Sequence, residues 1–329
     1  MPHCPDRSRF VALRSAAALL CLCAGVLWGQ QPAATPNPAD TLFQSAVTQL
    51  SQGKLQDAED SFRKLVEMEP TNSRGTVGIA EVWATQKKTD EALALLQEEA
   101  AKYPDRTGLY VGIGNLAVRV GKYDLAISQF QVALDRINGE PKGSADLYLR
   151  MGEAYRLKGD LDFAINVLRK AQTLQPASPA ILNTLAFTLD TAGQKQAAGE
   201  QYRKLLELEP NNATALNNLA YLLADTGSDT GLALALSLRA RQLLPKQPVI
   251  ADTLGWVYVK MNRVEEAIPL FREAVDKDQS RATFRYHLAT ALEMRGDHAG
   301  AKKESEAALK SNPSKEDEQK INELLQKIQ

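Results

Sequence analysis

The sequence predicts an all-α protein, an α-solenoid of about eight helical hairpins closed by one C-terminal capping helix. Three observations carry that expectation. Ala occurs 46 times and Leu 45 times among 329 residues while aromatics make up 6%, an excess of strong helix formers over strand formers. Hydrophobic types at 44% against 24% charged supply enough apolar material to bury a core. One pattern of small and large residues also returns about every 34 positions along nearly the whole chain. With 39 basic and 40 acidic residues the charges nearly cancel, which argues against a polybasic protein for nucleic acid or a membrane surface.

Residues 1–30 form the first element, read as a secretory signal peptide. Arg7, Arg9 and Arg14 precede an apolar run from Ser15 to Trp28. That run reaches about 21 Å as a helix, short of the ~30 Å hydrocarbon core, so a cleavable leader is preferred to a membrane anchor. Cys4, Cys21 and Cys23 all lie in it, and the Leu residues before Cys21 and Cys23 do not fit an acylation signal. Cleavage near Gly29 or Gln30 leaves a mildly acidic chain without cysteine, expected to be exported to a periplasm or secreted, with no integral membrane segment. Residues 31–40 (QPAATPNPAD) are rich in Pro and Ala and read as a linker.

The repeats occupy residues 41–313. Alanines at 58, 92, 126, 164, 198, 233, 267 and 301 are spaced by 34, 34, 38, 34, 35, 34 and 34 residues. Twelve residues before each, or thirteen in one case, stands Gly or Ala: Ala46, Ala80, Gly114, Gly152, Ala186, Ala220, Gly255 and Ala289. A large residue follows the alanine by four in six units (Phe62, Leu96, Phe130, Leu168, Tyr202, Phe271), and six units close on Pro70, Pro104, Pro176, Pro210, Pro245 and Pro313.

Unit four, residues 146–176, shows the physics. Tyr148, Met151, Gly152 and Tyr155 share one helical face, and Leu161, Ala164, Ile165, Leu168 and Ala171 share another. Lys158, Gly159 and Asp160 interrupt the pattern: Gly159 suits a left-handed C-cap and Asp160 an N-cap for the second helix. Pro176 stops that helix, since it lacks an N–H and restricts the residue before it. Gly152 and Ala164 have almost no side chain, so the two helices can close to the short end of the ~8–10 Å interaxial range.

A helix-turn-helix unit with this pattern resembles the tetratricopeptide repeat (TPR), and the resemblance implies a right-handed solenoid over nearly the whole mature chain. The departures are local. Four extra residues fall in an expected loop at 138–144, one in an expected turn at 225–231, Gln279 stands in place of Pro in unit seven, and Ser237 and Ser305 replace the large residue in units six and eight. The tail, residues 314–329, places Ile321, Leu324, Leu325 and Ile328 on one face and reads as the capping helix.

In the resembled family the first helix of each hairpin lines a concave groove that takes proteins or peptides. Carried onto this chain, that lining is Asn183 and Phe187, then Asn217, Asn218 and Tyr221, then Asp252 and Trp256, then Tyr286, with Thr184, Thr253, His287 and Thr290 at matching positions. Amides both donate to and accept from a peptide backbone, and aromatic rings add contact area. The rings equally suit packing between neighbouring first helices. The expectation is a scaffold or adaptor for envelope assembly or secretion, with no enzymatic activity, catalytic residue, metal or cofactor. Alternatives are a glycan-binding element of an envelope machinery and a hydrolase using Asp190, Asp252 and Glu293.

Catalytic look-alikes carry little. Gly112, Gly114 and Ala117 spell a dinucleotide-binding pattern, but all fall on one expected helix with no strand before them. Asp225–Gly227 and Asp229–Gly231 repeat the Asp-Thr-Gly triplet inside one hairpin, where they read as capping residues. His287 and His298, the two histidines beyond the leader, read as ordinary exposed side chains with no metal-site partners.

Overall fold

The structure, a computed structural model, describes residues 37–137 and 139–328. The expected signal peptide, its three cysteines and linker residues 31–36 lie outside the described residues. Among the described residues there are seventeen helices and no strand. Sixteen helices form eight hairpins: α1 (Pro38–Ser51) with α2 (Leu55–Met68), α3 (Arg74–Thr85) with α4 (Thr89–Lys102), α5 (Thr107–Arg119) with α6 (Tyr123–Arg136), and α7 (Pro141–Lys158) with α8 (Leu161–Leu174). The second half repeats the scheme in α9 (Pro179–Thr191) with α10 (Lys195–Leu208), α11 (Ala213–Thr226) with α12 (Thr230–Leu243), α13 (Pro248–Lys260) with α14 (Val264–Lys277), and α15 (Ala282–Met294) with α16 (His298–Leu309). The seventeenth, α17 (Lys315–Ile328), packs on α15 and α16, with Ile321 and Leu324 buried.

The repeated alanines explain why each hairpin closes. All eight second-helix alanines are fully buried, as are Ala46, Ala80, Ala186, Ala220 and Ala289 on the first helices. Where the first helix has Gly instead, the large residue of the same unit sits in the vacated space. A Cβ on Gly114 would lie 2.4 Å from the Phe130 ring, one on Gly152 2.5 Å from Leu168 Cγ, and one on Gly255 2.7 Å from the Phe271 ring. None of these rings or branched side chains can retreat from a close-packed interior, so the small residue and the large one form a single matched pair. Phe62, Leu96, Phe130, Leu168, Tyr202 and Phe271 are all at most 1% exposed.

Several local expectations need correction. Residues 38–40, read as linker, are the first turn of α1, because the Asn37 side chain caps it by accepting from Ala39 N at 3.0 Å. Most of the expected loop at 138–144 is helical: the four extra residues lengthen α7, which starts at Pro141 with the Glu140 carboxylate accepting from Lys142 N at 3.1 Å. The one extra residue near 225–231 extends the end of α11, leaving a turn of Gly227, Ser228 and Asp229. Gly227 closes α11 in the left-handed region and Asp229 caps α12, while Gly231 lies inside that helix. Gly159 takes the left-handed C-cap at φ 95°, but Asp160 makes no side-chain cap bond, because its carboxylate pairs with Lys158 at 2.8 Å. Ser237 and Ser305 are completely buried despite their size, and Gly112, Gly114 and Ala117 lie on α5.

Curvature follows from which helices meet. First helices of successive units pack on one another at α1–α3, α3–α5, α7–α9, α11–α13, α13–α15 and α15–α17, while second helices pack chiefly on first helices. The first helices are therefore on the inside of the bend, and their outward residues face a common groove. Among the described residues no helix is long and apolar enough to cross a membrane.

Candidate functional site

The groove carries a cleft of about 370 Å³ in its second half, walled by first helices of units five to eight. Phe187 and Asp190 come from α9, Asn217, Asn218 and Tyr221 from α11, Asp252 and Thr253 from α13, and His287 from α15. Asn217 lies one turn before the buried Ala220, and Phe187 and Tyr221 follow the buried Ala186 and Ala220 by one position, so the register that packs the small residues also sets these side chains at the cleft.

Five of the eight residues expected to form the groove line this cleft: Phe187, Asn217, Asn218, Tyr221 and Asp252. Asn183, Trp256 and Tyr286 do not. Trp256 is 7% exposed and Tyr286 packs against the cluster of Ala282, Ala308 and Ile321, so both join neighbouring repeats. Phe187 is the reverse case: its ring is 45% exposed, with the Arg156 guanidinium 5.2 Å from the centroid. One repeated position thus holds a solvent-facing ring in unit five and a packed one in unit seven.

His287 is not an exposed side chain. It is 2% exposed, and its Nδ1 lies 2.9 Å from both carboxylate oxygens of Asp252, itself 4% exposed. Because a carboxylate only accepts, the Nδ1–H donates, which fixes the orientation of the imidazole. Four rings surround it: Trp256 stacks at 4.2 Å and 23°, with Tyr286 at 5.6 Å, Phe271 at 5.7 Å and Tyr221 at 6.3 Å. Residues 252 and 287 are 35 apart, one repeat plus one position, so the pair bridges consecutive first helices. His298 is exposed and lies 2.6 Å from Glu293.

The amides are only partly satisfied. Asn218 donates to the Tyr202 hydroxyl at 3.2 Å, and Asn217 donates weakly to Asn218 at 3.4 Å. The buried Oδ1 atoms of Asn183 and Asn217 and the Trp256 indole N–H have no partner among the described residues. Leaving a buried polar group unpaired costs about 1–3 kcal/mol, so these atoms are a local cost of the packing around the groove.

Carboxylates set the electrostatics. Burial holds the Asp190 carboxyl above its usual range, Asp225 adds to that, and Lys195 opposes it. For Asp225 burial works in the same direction, yet its bond to Lys195 and the charges of Lys195 and Lys260 more than offset it and keep the group below its usual range. Burial is also the first cause of the raised Tyr221 phenol, followed by Asp225, Asp252, Asp190 and Asp317. Burial likewise raises Tyr202, against its Asn218 bond, and Tyr286. The cleft is aromatic, amide-rich and acidic, which suits hydrogen bonding to a backbone and contact with rings or cations. Asp190, Asp252 and Glu293 do not form a paired-carboxylate site, since Asp252 is committed to His287 and Glu293 to His298. Among the described residues no cluster of three His, Cys, Asp or Glu side chains could hold a metal.

Comparison with known proteins agrees with this architecture. The tetratricopeptide repeat profile matches residues 43–107, 111–179 and 253–316, and related profiles of the same repeat match 179–212 and 201–268. The chain is similar to a TPR repeat-containing protein of Pseudomonas aeruginosa, 27% identical over 50% of this chain and 27% of that protein. It is similar to the type IV pilus assembly protein PilF of the same species, 26% identical over 45% of this chain and 59% of that protein. It also resembles the cellulose synthase 1 operon protein C of Komagataeibacter xylinus, 25% identical over 88% of this chain but 20% of that protein. The matches span less than two thirds of each of these relatives. Among solved structures, Cut9 in its complex with Hcn1 superposes with a TM-score of 0.63 over 88% of this chain and 56% of that one, at 16% identity. A tetratricopeptide repeat protein of Parabacteroides merdae gives 0.55 over 88% and 98%, also at 16% identity. With the repeat profile covering most of an array whose hairpins close on the same small and large residues, the chain belongs to the tetratricopeptide repeat family.

Proposed function

We propose that this protein is a scaffold or adaptor that holds a segment of a partner protein along its concave groove, at units five to eight. The carrying observation is the cleft between the first helices, where the exposed Phe187 ring stands with the amides of Asn217 and Asn218 and the Tyr221 ring. Amide oxygens accept from a peptide backbone and the ring gives contact area at small entropy loss, the usual economy of segment recognition. The repeat family supports protein binding in general. The leader-like start of the sequence and the names of two relatives, a pilus assembly protein and a cellulose synthase operon protein, support work outside the cytoplasm in envelope assembly or secretion.

Photocrosslinking in the native host tests the binding face. A photoreactive phenylalanine at position 187 should capture a discrete partner, and one at Phe163, 61% exposed on second helix α8, should not. Equal capture at both positions would remove the groove assignment. Export is tested separately by fusing residues 1–40 to a reporter and finding it outside the cytoplasm.

A further inference from the structure

The cleft has one carboxylate left over. Asp252 is held by His287, Asp225 by Lys195, and Asp317 accepts from Thr283 at 3.2 Å. Asp190, half-buried in the cleft wall, has no ion pair or side-chain hydrogen bond among the described residues. The cations at or near the cleft are otherwise engaged: Lys195 with Asp225, Lys260 over the Trp256 ring at 4.9 Å, Arg156 over the Phe187 ring at 5.2 Å, and Arg281, which lines the cleft, over Phe284 at 5.1 Å and beside Asp278 at 3.9 Å. Phe187 lies one turn before Asp190 on α9, and Tyr221 stands on the facing helix. In the same cleft Asn217, 5% exposed, keeps its Oδ1 unpartnered.

An unpaired carboxylate in a cleft that also holds two aromatic rings and an unpartnered amide oxygen is complementary to a cation carried on a backbone. Resting on the peptide-groove reading above, we propose that this cleft is a pocket for a lysine or arginine side chain of the partner segment. The cation pairs with Asp190 and lies against the Phe187 and Tyr221 rings, while a backbone N–H of the same segment donates to Asn217 Oδ1. Arg156 against Phe187 already shows that this ring accepts a guanidinium. An acidic segment is disfavoured, since Asp190, Asp225, Asp252 and Asp317 all act on the Tyr221 phenol that forms one wall.

The test is selection of random linear peptides displayed on phage against the immobilised full chain, with Asp190→Asn in parallel, followed by fluorescence anisotropy on the selected peptides. The expected result is a lysine or arginine fixed at one position, with affinity falling about tenfold for Asp190→Asn and for the peptide with that residue changed to Ala, and no further loss when both are combined. Asp190→Asn should melt no lower than the parent at neutral pH, because it removes a partly buried charge without a partner, so a loss of affinity reads the pocket and not the fold. Peptides that lose binding with Phe187→Ala but carry no fixed basic residue, or that ignore Asp190→Asn, would overturn the cation pocket and leave the groove standing. Selection of no peptide at all would overturn both.

Discussion

The two halves of the solenoid share one packing scheme and differ in what they show to the groove. At the first-helix position three residues before the conserved small side chain, units one to four carry Phe43, Val77, Val111 and Leu149, and units five to eight carry Asn183, Asn217, Asp252 and Tyr286. Several polar groups in the first half satisfy one another, Arg119 with Glu81, and Arg150 with Asn115 at 2.9 Å and Asp146 at 2.8 Å, while Arg156 Nε on α7 is buried without a partner among the described residues. Among the described residues the second half leaves Asn183 Oδ1, Asn217 Oδ1 and the carboxylate of Asp190 without partners. The contrast teaches that stacking is spread along the array by small and large residues, whereas the side chains set beside them on the first helices change from apolar in the first half to polar in the second.

The comparison can be broken or sharpened in a series of decreasing effect. Phe130→Ala in the first half and Phe271→Ala in the second should each destabilise by about 3–5 kcal/mol in chemical denaturation, since both rings are fully buried against a glycine. Very different losses would mean that the halves do not share a packing scheme. Asp252→Ala leaves His287 buried without its carboxylate and should lose about 2–3 kcal/mol, and the double variant with His287→Ala should lose less than the sum of the two single losses, which a double-mutant cycle reads directly. Glu81→Ala, at an ion pair 46% exposed on its Arg119 side, should change stability by at most about 1 kcal/mol. Phe187→Ala should stay within about 0.5 kcal/mol of the parent and yet weaken binding of the selected peptides in fluorescence anisotropy, separating binding from stability.

A pH effect comes last in size. The folded-state pKa of Asp190 is raised, so the folded chain binds this proton more readily than the unfolded chain does. Its destabilising influence is full at neutral pH and fades as pH falls through the folded value. Asp190→Asn should therefore match or exceed the parent in melting temperature at pH 7, and that advantage should shrink in acid. A growing advantage at low pH would contradict the burial of this carboxylate.

Much of the fold was legible because its determinants are local and periodic. The 34-residue spacing, Gly159 as a left-handed cap and the Gly152–Leu168 match all follow from residues within one hairpin. The corrections arose where a local cue competes with a neighbour. Asp160 had the right side chain for an N-cap, but Lys158 took its carboxylate. The extra residues before Ser144 contain Gly and Pro and read as a loop, yet Pro141 at a helix start and a capping Glu140 let them add a turn to α7. Candidate groove positions could be named from register alone, but register gave Phe187, Tyr221 and Trp256 the same reading.

By itself the sequence determined the hairpin, its number of copies and which helix face carries polar and aromatic side chains, since these depend on spacing along one helix or across one turn. Only the tertiary structure decided that Trp256 packs on His287, that His287 is buried on Asp252, and that Asp190 and Asn217 stay unsatisfied in one cleft. Those outcomes depend on how each first helix is rotated and set against the next. That relation between units is fixed by the packing of whole hairpins and is not written at any single position of the repeat.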